Sequence, residues 1–289
     1  MLRGFQQAVF EGLGKLFDGI EDYIVKLYPD EKDVKSEVTS HFKEFMAGLV
    51  GVDRTSCCVR VGFVREYLDY LLGVLEDSGY GFIVVDAILG YRGIVGSSEG
   101  LGRIWFMPLW HPLFDVPWIP GSSVKGVLRA SYEAIAEQAF PGDMRKCSSI
   151  IFGCSGDDCP SGVEARVGLI KALDAYPVDC GLNGGLVEAD VITAHYGEDV
   201  ETELDVKPNP ILGLSLSAGS TYRFIILFDN NRWKTEQAED CLLDYKSPLD
   251  LAYNLLFYAL ENVGVGGKTT RGYGYFNQIQ LKRIENKKR

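Results

Sequence analysis

Several things are scarce or missing in this 289-residue chain, and each absence excludes something. No stretch approaches the roughly 18–20 consecutive apolar residues of a membrane-spanning helix, so no membrane partner is expected. The amphipathic N-terminal run MLRGFQQAVFEGLGKLFDGIEDYIV is interrupted by acids and lacks a signal-type cleavage pattern, which predicts a cytoplasmic protein. Basic residues are in deficit: 29 Lys and Arg face 40 Asp and Glu, for a net charge of −11. That balance argues against indiscriminate nucleic-acid binding over the whole surface but is compatible with one local basic face. There are three histidines, His41, His111 and His195, and no paired carboxylates at metal-like spacing stand out near PGSSVKG or GVGGKTTRGYG. No metal centre and no cofactor is therefore expected. Seven cysteines, an odd number in a chain without a signal segment, do not point to a disulfide framework. Cys147, Cys154, Cys159 and Cys180 follow C-x6-C-x4-C-x20-C, looser than a zinc knuckle. Free buried thiols are the default reading, with zinc or a pair of disulfides as alternatives. There is no internal repeat and no low-complexity segment.

A hydrophobic content of 46 % supplies a substantial core, and the length suits one large domain or a domain with an appendage. Residues 1–80 read as helices. Phe5, Val9, Leu13, Leu16, Phe17 and Ile20 recur at three or four, as do Val64, Tyr67, Leu68, Leu71 and Leu75. They predict a helical N-terminal appendage on a main domain of residues 81–289. Gly81–Leu89 is a β-branched apolar run bounded by glycine, which predicts a strand. Strands are also predicted at Ala165–Ala175, Gly185–Thr193, Ile211–Ser217, Thr221–Phe228 and Tyr273–Ile284. Ala218-Gly219-Ser220 reads as a hairpin turn between two of them. Cys147–Glu164 reads as loop, and Arg92 as exposed on a turn. Ser247–Val263 is a helix with Pro248 in its first turn and Gly264 at its stop. Strand–helix–strands–helix–strand predicts an α+β fold, a ferredoxin-like (RRM-like) sheet carrying insertions. The aromatics by which RRM strands stack bases are not evident, so base stacking on the sheet face is not expected.

Two glycine-bearing stretches carry the chemistry. Pro117–Arg129, PWIPGSSVKGVLR, is a turn opening a helix, with Ser122 and Ser123 as candidate N-caps. Lys125 and, one turn later, Arg129 add positive charge beside unpaired N–H groups, a combination suited to phosphate. Gly264–Gly274, GVGGKTTRGYG, lets backbone approach a polyanion through Gly264, Gly266 and Gly267, with Lys268 and Arg271 as counter-charges. Gly267-Lys268-Thr269 imitates the end of a P-loop, but the required earlier glycine is Asn262 and a helix precedes the loop where a strand is needed. Nucleotide hydrolysis is therefore not expected.

PGSSxKGxxR early and a glycine-rich RGxG loop late resemble the signature of the RAMP superfamily of CRISPR proteins. DVITAHY (Asp190–Tyr196) and KPNPILGLSLSAGSTYRFIILF (Lys207–Phe228) extend the likeness to the sixth-subunit family of type III-B (Cmr) effector complexes, over roughly residues 82–284. The resemblance implies a non-catalytic subunit that grips the phosphates of a CRISPR guide RNA near its 3′ end. Target RNA and other Cmr RAMP subunits would be its partners in a hetero-oligomeric complex. It implies RNA contacts from Ser122, Ser123, Lys125, Arg129, Lys268 and Arg271 and a thumb-like insertion near residues 194–210, in which His195 reads either as an RNA contact or as a loop residue. Glu198, Asp199, Glu201, Glu203 and Asp205 make that insertion acidic, which is awkward beside RNA. Two rival readings are a metal-independent RAMP endoribonuclease using His111 or Asp115, and a pure assembly scaffold.

Overall fold

β-Branched and aromatic residues occupy the centre of the molecule. The computed structural model describes residues 31–96, 105–139, 144–194, 209–236 and 238–285. Helix α1 (Glu31–Asp77) leads into β1 (Gly81–Leu89), then β2 (Trp105–Phe106) and a small ribbon of β3 (Trp110–His111) and β4 (Val116–Pro117). Helices α2 (Gly121–Ala139) and α3 (Met144–Phe152) follow, then a second ribbon of β5 (Gly153–Cys154) and β6 (Arg166–Val167). The remainder is β7 (Ile170–Ala172), β8 (Tyr176–Asp179), β9 (Val187–Ala194), β10 (Asn209–Leu216), β11 (Thr221–Phe228), α4 (Asn230–Glu236), α5 (Pro248–Tyr258) and β12 (Phe276–Glu285).

The main sheet has the order β12-β1-β11-β7, with β8 continuing the β7 edge along β11. Every neighbour is antiparallel, and β1 pairs β11 from Gly81↔Phe228 to Ile88↔Thr221. The two central strands are apolar on both sides because both sheet faces are covered. Ile83, Val85, Phe224 and Ile226 pack with Val124, Leu128 and Tyr132 of α2 and with Ala252, Leu255 and Leu256 of α5. Phe82, Val84, Ile225 and Leu227 pack with Val61, Val64, Leu68 and Leu75 of α1. Thus the face opposite α2 and α5, which an RRM leaves open for bases, is largely occupied here by the second half of α1.

A smaller sheet, β2-β10-β9, stands beside the first. Its Val187 and Leu214 pack on Met46, Leu49 and Val50 of α1. A buried carboxylate ties the same elements. Asp53 accepts hydrogen bonds from the backbone N–H of Leu186 (2.6 Å) and Val187 (2.9 Å) and is ion-paired with buried Arg60.

Several expectations are corrected. Ile211–Ser217 and Thr221–Phe228 do not form a hairpin ladder: β10 pairs β9, and β11 pairs β1, so the turn through Gly219 carries the chain between sheets. Each strand finds its hydrophobic partner elsewhere, which local turn chemistry cannot reveal. Cys147 lies in helix α3, since Ile150, Ile151 and Phe152 are drawn into the core as one helical face. The last strand begins at Phe276, and a bulge with Gln278 at φ +45° shifts its register against β1. Phe276 is consequently buried while Leu281 is exposed. Six cysteines pair, as Cys57–Cys180, Cys147–Cys241 and Cys154–Cys159, and Cys58 stays free and exposed. The four cysteines considered for zinc are thereby divided among three different pairs. His195, the acidic run Glu198–Asp205, and all but the ends of the 194–210 insertion lie outside the described residues.

Candidate nucleic-acid interface

The first bend is held by backbone pairing before it turns. Trp118 N–H donates to the Leu109 carbonyl (3.1 Å), and Ile119 bridges Ala175. The Pro120 carbonyl then accepts from Ser123 N–H (2.9 Å) and Val124 N–H (3.1 Å), so the helix starts at Gly121. Ser122 and Ser123 sit inside the first turn instead of capping it, a correction to the expected cap. The capping carboxylate comes from another element: Asp174 Oδ1 accepts from Gly121 N–H at 2.7 Å. A Cβ at position 121 would overlap the Ala172 carbonyl oxygen, so only glycine lets the helix start so close to β7.

Lys125 projects from this turn into positive surroundings. Its pKa is lowered from the ordinary lysine value, first by burial and then by the like charges of Arg129 and Lys171. Lys171, on β7, donates to the Tyr80 hydroxyl (2.6 Å) and lies over that ring at 4.4 Å. Arg129 is partly compensated, because its Nε donates to Glu133 Oε1 at 2.9 Å and its Nη1 to the Gly153 carbonyl at 3.4 Å. Lys125 has no acidic partner of its own among the described residues.

The second bend is equally well tied down. Ser247 caps α5 by accepting from Asp250 N–H, and the helix ends in one wide turn, Ala259–Val263, stopped by Gly264 at φ +79°. Val265 N–H donates to the Gly274 carbonyl (2.8 Å), closing the loop at its base. Gly267 N–H reaches the Ile94 carbonyl (2.7 Å) and Gly274 N–H the Arg92 carbonyl (2.8 Å). Gly266 has φ +102°, and a Cβ there would strike the Ile94 carbonyl oxygen. Lys268, itself left-handed at φ +60°, and the short turn Thr269–Arg271 form the apex, with both basic side chains exposed.

A polar network anchors this loop to the second sheet. Tyr273 donates to Asp190 Oδ2 (2.9 Å), Arg92 Nη1 donates to Asp190 Oδ1 (2.7 Å), and Arg92 Nε lies 3.2 Å from Glu188. Arg92 is therefore a structural tie and not the exposed charge expected from its turn. The Tyr273 phenol is pushed up to about 12, by burial first and by its bond to Asp190 second. Asp190 opens the DVITAHY stretch, so that motif has a local role in holding the loop.

The two bends meet different parts of the main sheet, the glycine loop at the Leu89 end of β1 and the first bend at the edge strand β7, whose Ala172 pairs Ile226 opposite Ile83. Leu89 of β1 pairs Phe276, the first strand residue after the glycine loop, and α2 packs against β7 beside the turn that opens it. A continuous hydrogen-bonded path connects them: Gly267 to Ile94, Val95 to Leu109, Leu109 to Trp118. Three steps at roughly 4.8 Å each, and the one peptide step from Ile94 to Val95, put Gly267 within about 18 Å of Trp118. That path links the turn carrying Ser122, Ser123, Lys125 and Arg129 to the loop carrying Gly264, Gly266, Gly267, Lys268 and Arg271. Sequence reasoning missed Lys171 and Asp174. Both come from an edge segment whose only link to the first bend is tertiary pairing, and no local pattern announces it.

The nuclease candidates are engaged elsewhere. His111 Nδ1 accepts from Phe114 N–H (3.3 Å), its ring stacks on Phe114 at 4.6 Å, and burial lowers its pKa. Asp115 Oδ1 accepts from Trp110 Nε1 at 2.8 Å, and its carbonyl accepts from Arg60. Among the described residues no cluster of three or more His, Cys, Asp or Glu is placed to hold a metal. No helix among them is long and apolar enough to cross a membrane.

Comparison with known proteins adds relatives to this geometry. A family model of the RAMP superfamily matches residues 59–277. The "CRISPR system CMR subunit Cmr6" of Saccharolobus solfataricus (strain ATCC 35092 / DSM 1617 / JCM 11322 / P2) is 26 % identical over 225 residues. The match covers 77 % of this chain and 66 % of that relative, just under two thirds of its length. A chain in the cryo-EM structure of the type III-B Cmr-beta complex bound to cognate target RNA is similar in fold, with a TM-score of 0.58 and 24 % identity. That likeness covers 92 % of this chain and 81 % of the other. Cmr6 from Pyrococcus furiosus, known as a crystal structure, is 20 % identical with a TM-score of 0.38, covering 68 % of this chain and 97 % of that one.

Proposed function

This chain belongs to the RAMP superfamily, and from that premise we propose that it is a non-catalytic guide-RNA-binding subunit of a type III-B CRISPR RNA-targeting complex. The carrying observation is a backbone path that joins two braced basic bends, one with Lys125 and Arg129 beside Lys171 and the other with exposed Lys268 and Arg271. In this reading the fold is ferredoxin-like. The order β12-β1-β11-β7 with α2 and α5 on one face is the strand order 4-1-3-2 of a βαββαβ unit. Helix α1 covers most of the face that would otherwise stack bases. The chain grips the guide near its 3′ end through phosphates, and sequence is read by guide–target pairing. The relative's name and the target RNA in the similar complex support the general CRISPR RNA-targeting role.

Asp174 refines where a phosphate sits. It already occupies the first free N–H of α2, so the anion lies on the Lys125 flank of the turn and not on the helix axis. Lys125, whose charge is disfavoured by burial and by Arg129 and Lys171, is the group a phosphate relieves most. The absence of catalysis is supported by the packing of His111 and Asp115, both engaged within the protein.

A salt titration of RNA binding tests the reading. Each lost phosphate contact to a single strand reduces the slope of log K against log salt by about 0.7, so Lys125→Ala with Arg271→Ala lowers it by about 1.4. The loss is the same for unrelated guide sequences. Unchanged affinity and slope hand the function to the scaffold reading. RNA cut by the isolated protein without metal, and spared in His111→Ala, establishes a ribonuclease instead.

A further inference from the structure

Helix α1 buries one face on the sheet and leaves a second apolar stripe largely exposed, with Tyr67 turned partly onto Phe114 and Tyr176. Val59, Phe63, Tyr67, Tyr70 and Val74 follow one another at intervals of four, four, three and four, and all five are exposed, Phe63 by 59 % and Tyr70 by 74 %. At about 100° per residue they stay within a band of roughly 80° and run about 22 Å along the axis. This is the spacing of a helix–helix seam, not of scattered surface residues. Gly62 and Gly73 border the stripe with nothing within 4 Å of either, so no side chain holds a partner off there.

We propose that this face of α1 docks an amphipathic helix with a basic edge, carried by a neighbouring subunit; the proposal rests on the assembly reading above. Charge selects the occupant. On its solvent side the stripe is bordered by Glu66, Asp69, Glu76 and Asp77. Asp69 and Glu76 have Arg223 and Arg283 as neighbours, at 3.6 and 2.5 Å, whereas Glu66 and Asp77 are exposed with no cation paired to them among the described residues. The opposite border, Ser56 and Arg60, is already buried in the protein. A second copy of this chain would set acid against acid, and RNA would set phosphate against acid. A helix with an apolar repeat and Lys or Arg along one edge satisfies both parts of the surface.

The test is a photo-crosslinking amino acid at position 70 of the full chain, within the effector complex purified from its host, with the crosslinked peptide identified by mass spectrometry. The expected product joins Tyr70's position to a helical segment of another subunit that has apolar residues at three–four spacing and basic residues beside them. Phe63→Glu with Tyr70→Glu lowers recovery of that subunit at least about tenfold, as for a hot-spot loss, with guide RNA retained and the melting temperature unchanged. Glu66→Lys with Asp77→Lys lowers it as well. A crosslink to RNA, to a second copy of this chain or to an acidic segment overturns the proposal, as does an intact complex with no crosslink. If neither RNA nor other subunits accompany the chain, the assembly reading itself fails, and the docking surface with it.

Discussion

Replacing Asp53 with alanine is expected to loosen the joint between α1 and the second sheet and, through it, the glycine loop. The Asp53 carboxylate is fully buried, accepts from the N–H groups of Leu186 and Val187, and is paired with Arg60. Removing it leaves two N–H groups without their acceptor and takes the carboxylate from a buried guanidinium, which keeps the carbonyls of Asp115 and of residue 53 as acceptors. Breaking a buried pair from one side costs about 3–5 kcal/mol, against a total stability of about 5–15 kcal/mol for a typical protein. At about 2–4 °C per kcal/mol for a domain of 150–250 residues, the melting temperature falls by roughly 6–20 °C. β9 carries Asp190 three residues beyond Val187, so the Tyr273 anchor weakens with it and RNA affinity falls. Thermal and urea unfolding, followed by RNA binding well below the melting point, measure both effects. The companion Asp53→Ala with Arg60→Met removes the buried charge as well and recovers part of the loss. A single alanine variant that melts within about 1 °C of wild type would refute the reasoning, because breaking a buried ion pair from one side cannot leave stability so little changed.

Other outcomes follow from the same structure. The raised Tyr273 pKa means that its anchoring contribution is fully present below the unfolded value near 10 and is lost as pH climbs through about 12. Phenolate absorbance resolves that titration, and Asp190→Asn moves it toward 10. Gly121→Ala forces a methyl against the Ala172 carbonyl and costs about 1–3 kcal/mol as overpacking, with weaker RNA binding, measurable by melting and by titration. Cys57–Cys180 and Cys147–Cys241 span 123 and 94 residues, so removing either pair by serine substitution destabilises by about 2–4 kcal/mol. Cys154–Cys159 spans only 5 residues and its loss costs less, which the same unfolding curves distinguish.

Elements with strong local signals matched the structure closely: Gly81–Leu89 is β1, Thr221–Phe228 is β11, and the helix from Ser247 is capped by that serine and stopped at Gly264. The two bends were legible because glycine, proline and basic residues in short runs have few structural uses. Less was legible where the outcome depended on distant partners. The Gly219 turn looks like hairpin chemistry from within, yet its flanking strands join different sheets. Cys147 reads as part of a loop until its helix packs on the core, and Cys241 is brought beside it from 94 positions away.

By itself, then, the amino-acid order determined the strands, the helix ends and the chemical character of both bends, since periodicity, capping and backbone freedom act within a few residues. Only the tertiary structure decided that a backbone path joins the two bends, that Asp174 fills the first N–H of α2, and that α1 covers the sheet's other face. Those outcomes rest on strand pairing and burial between segments about fifty to almost two hundred residues apart, where hydrogen-bond register and core packing, not local preference, select the partner.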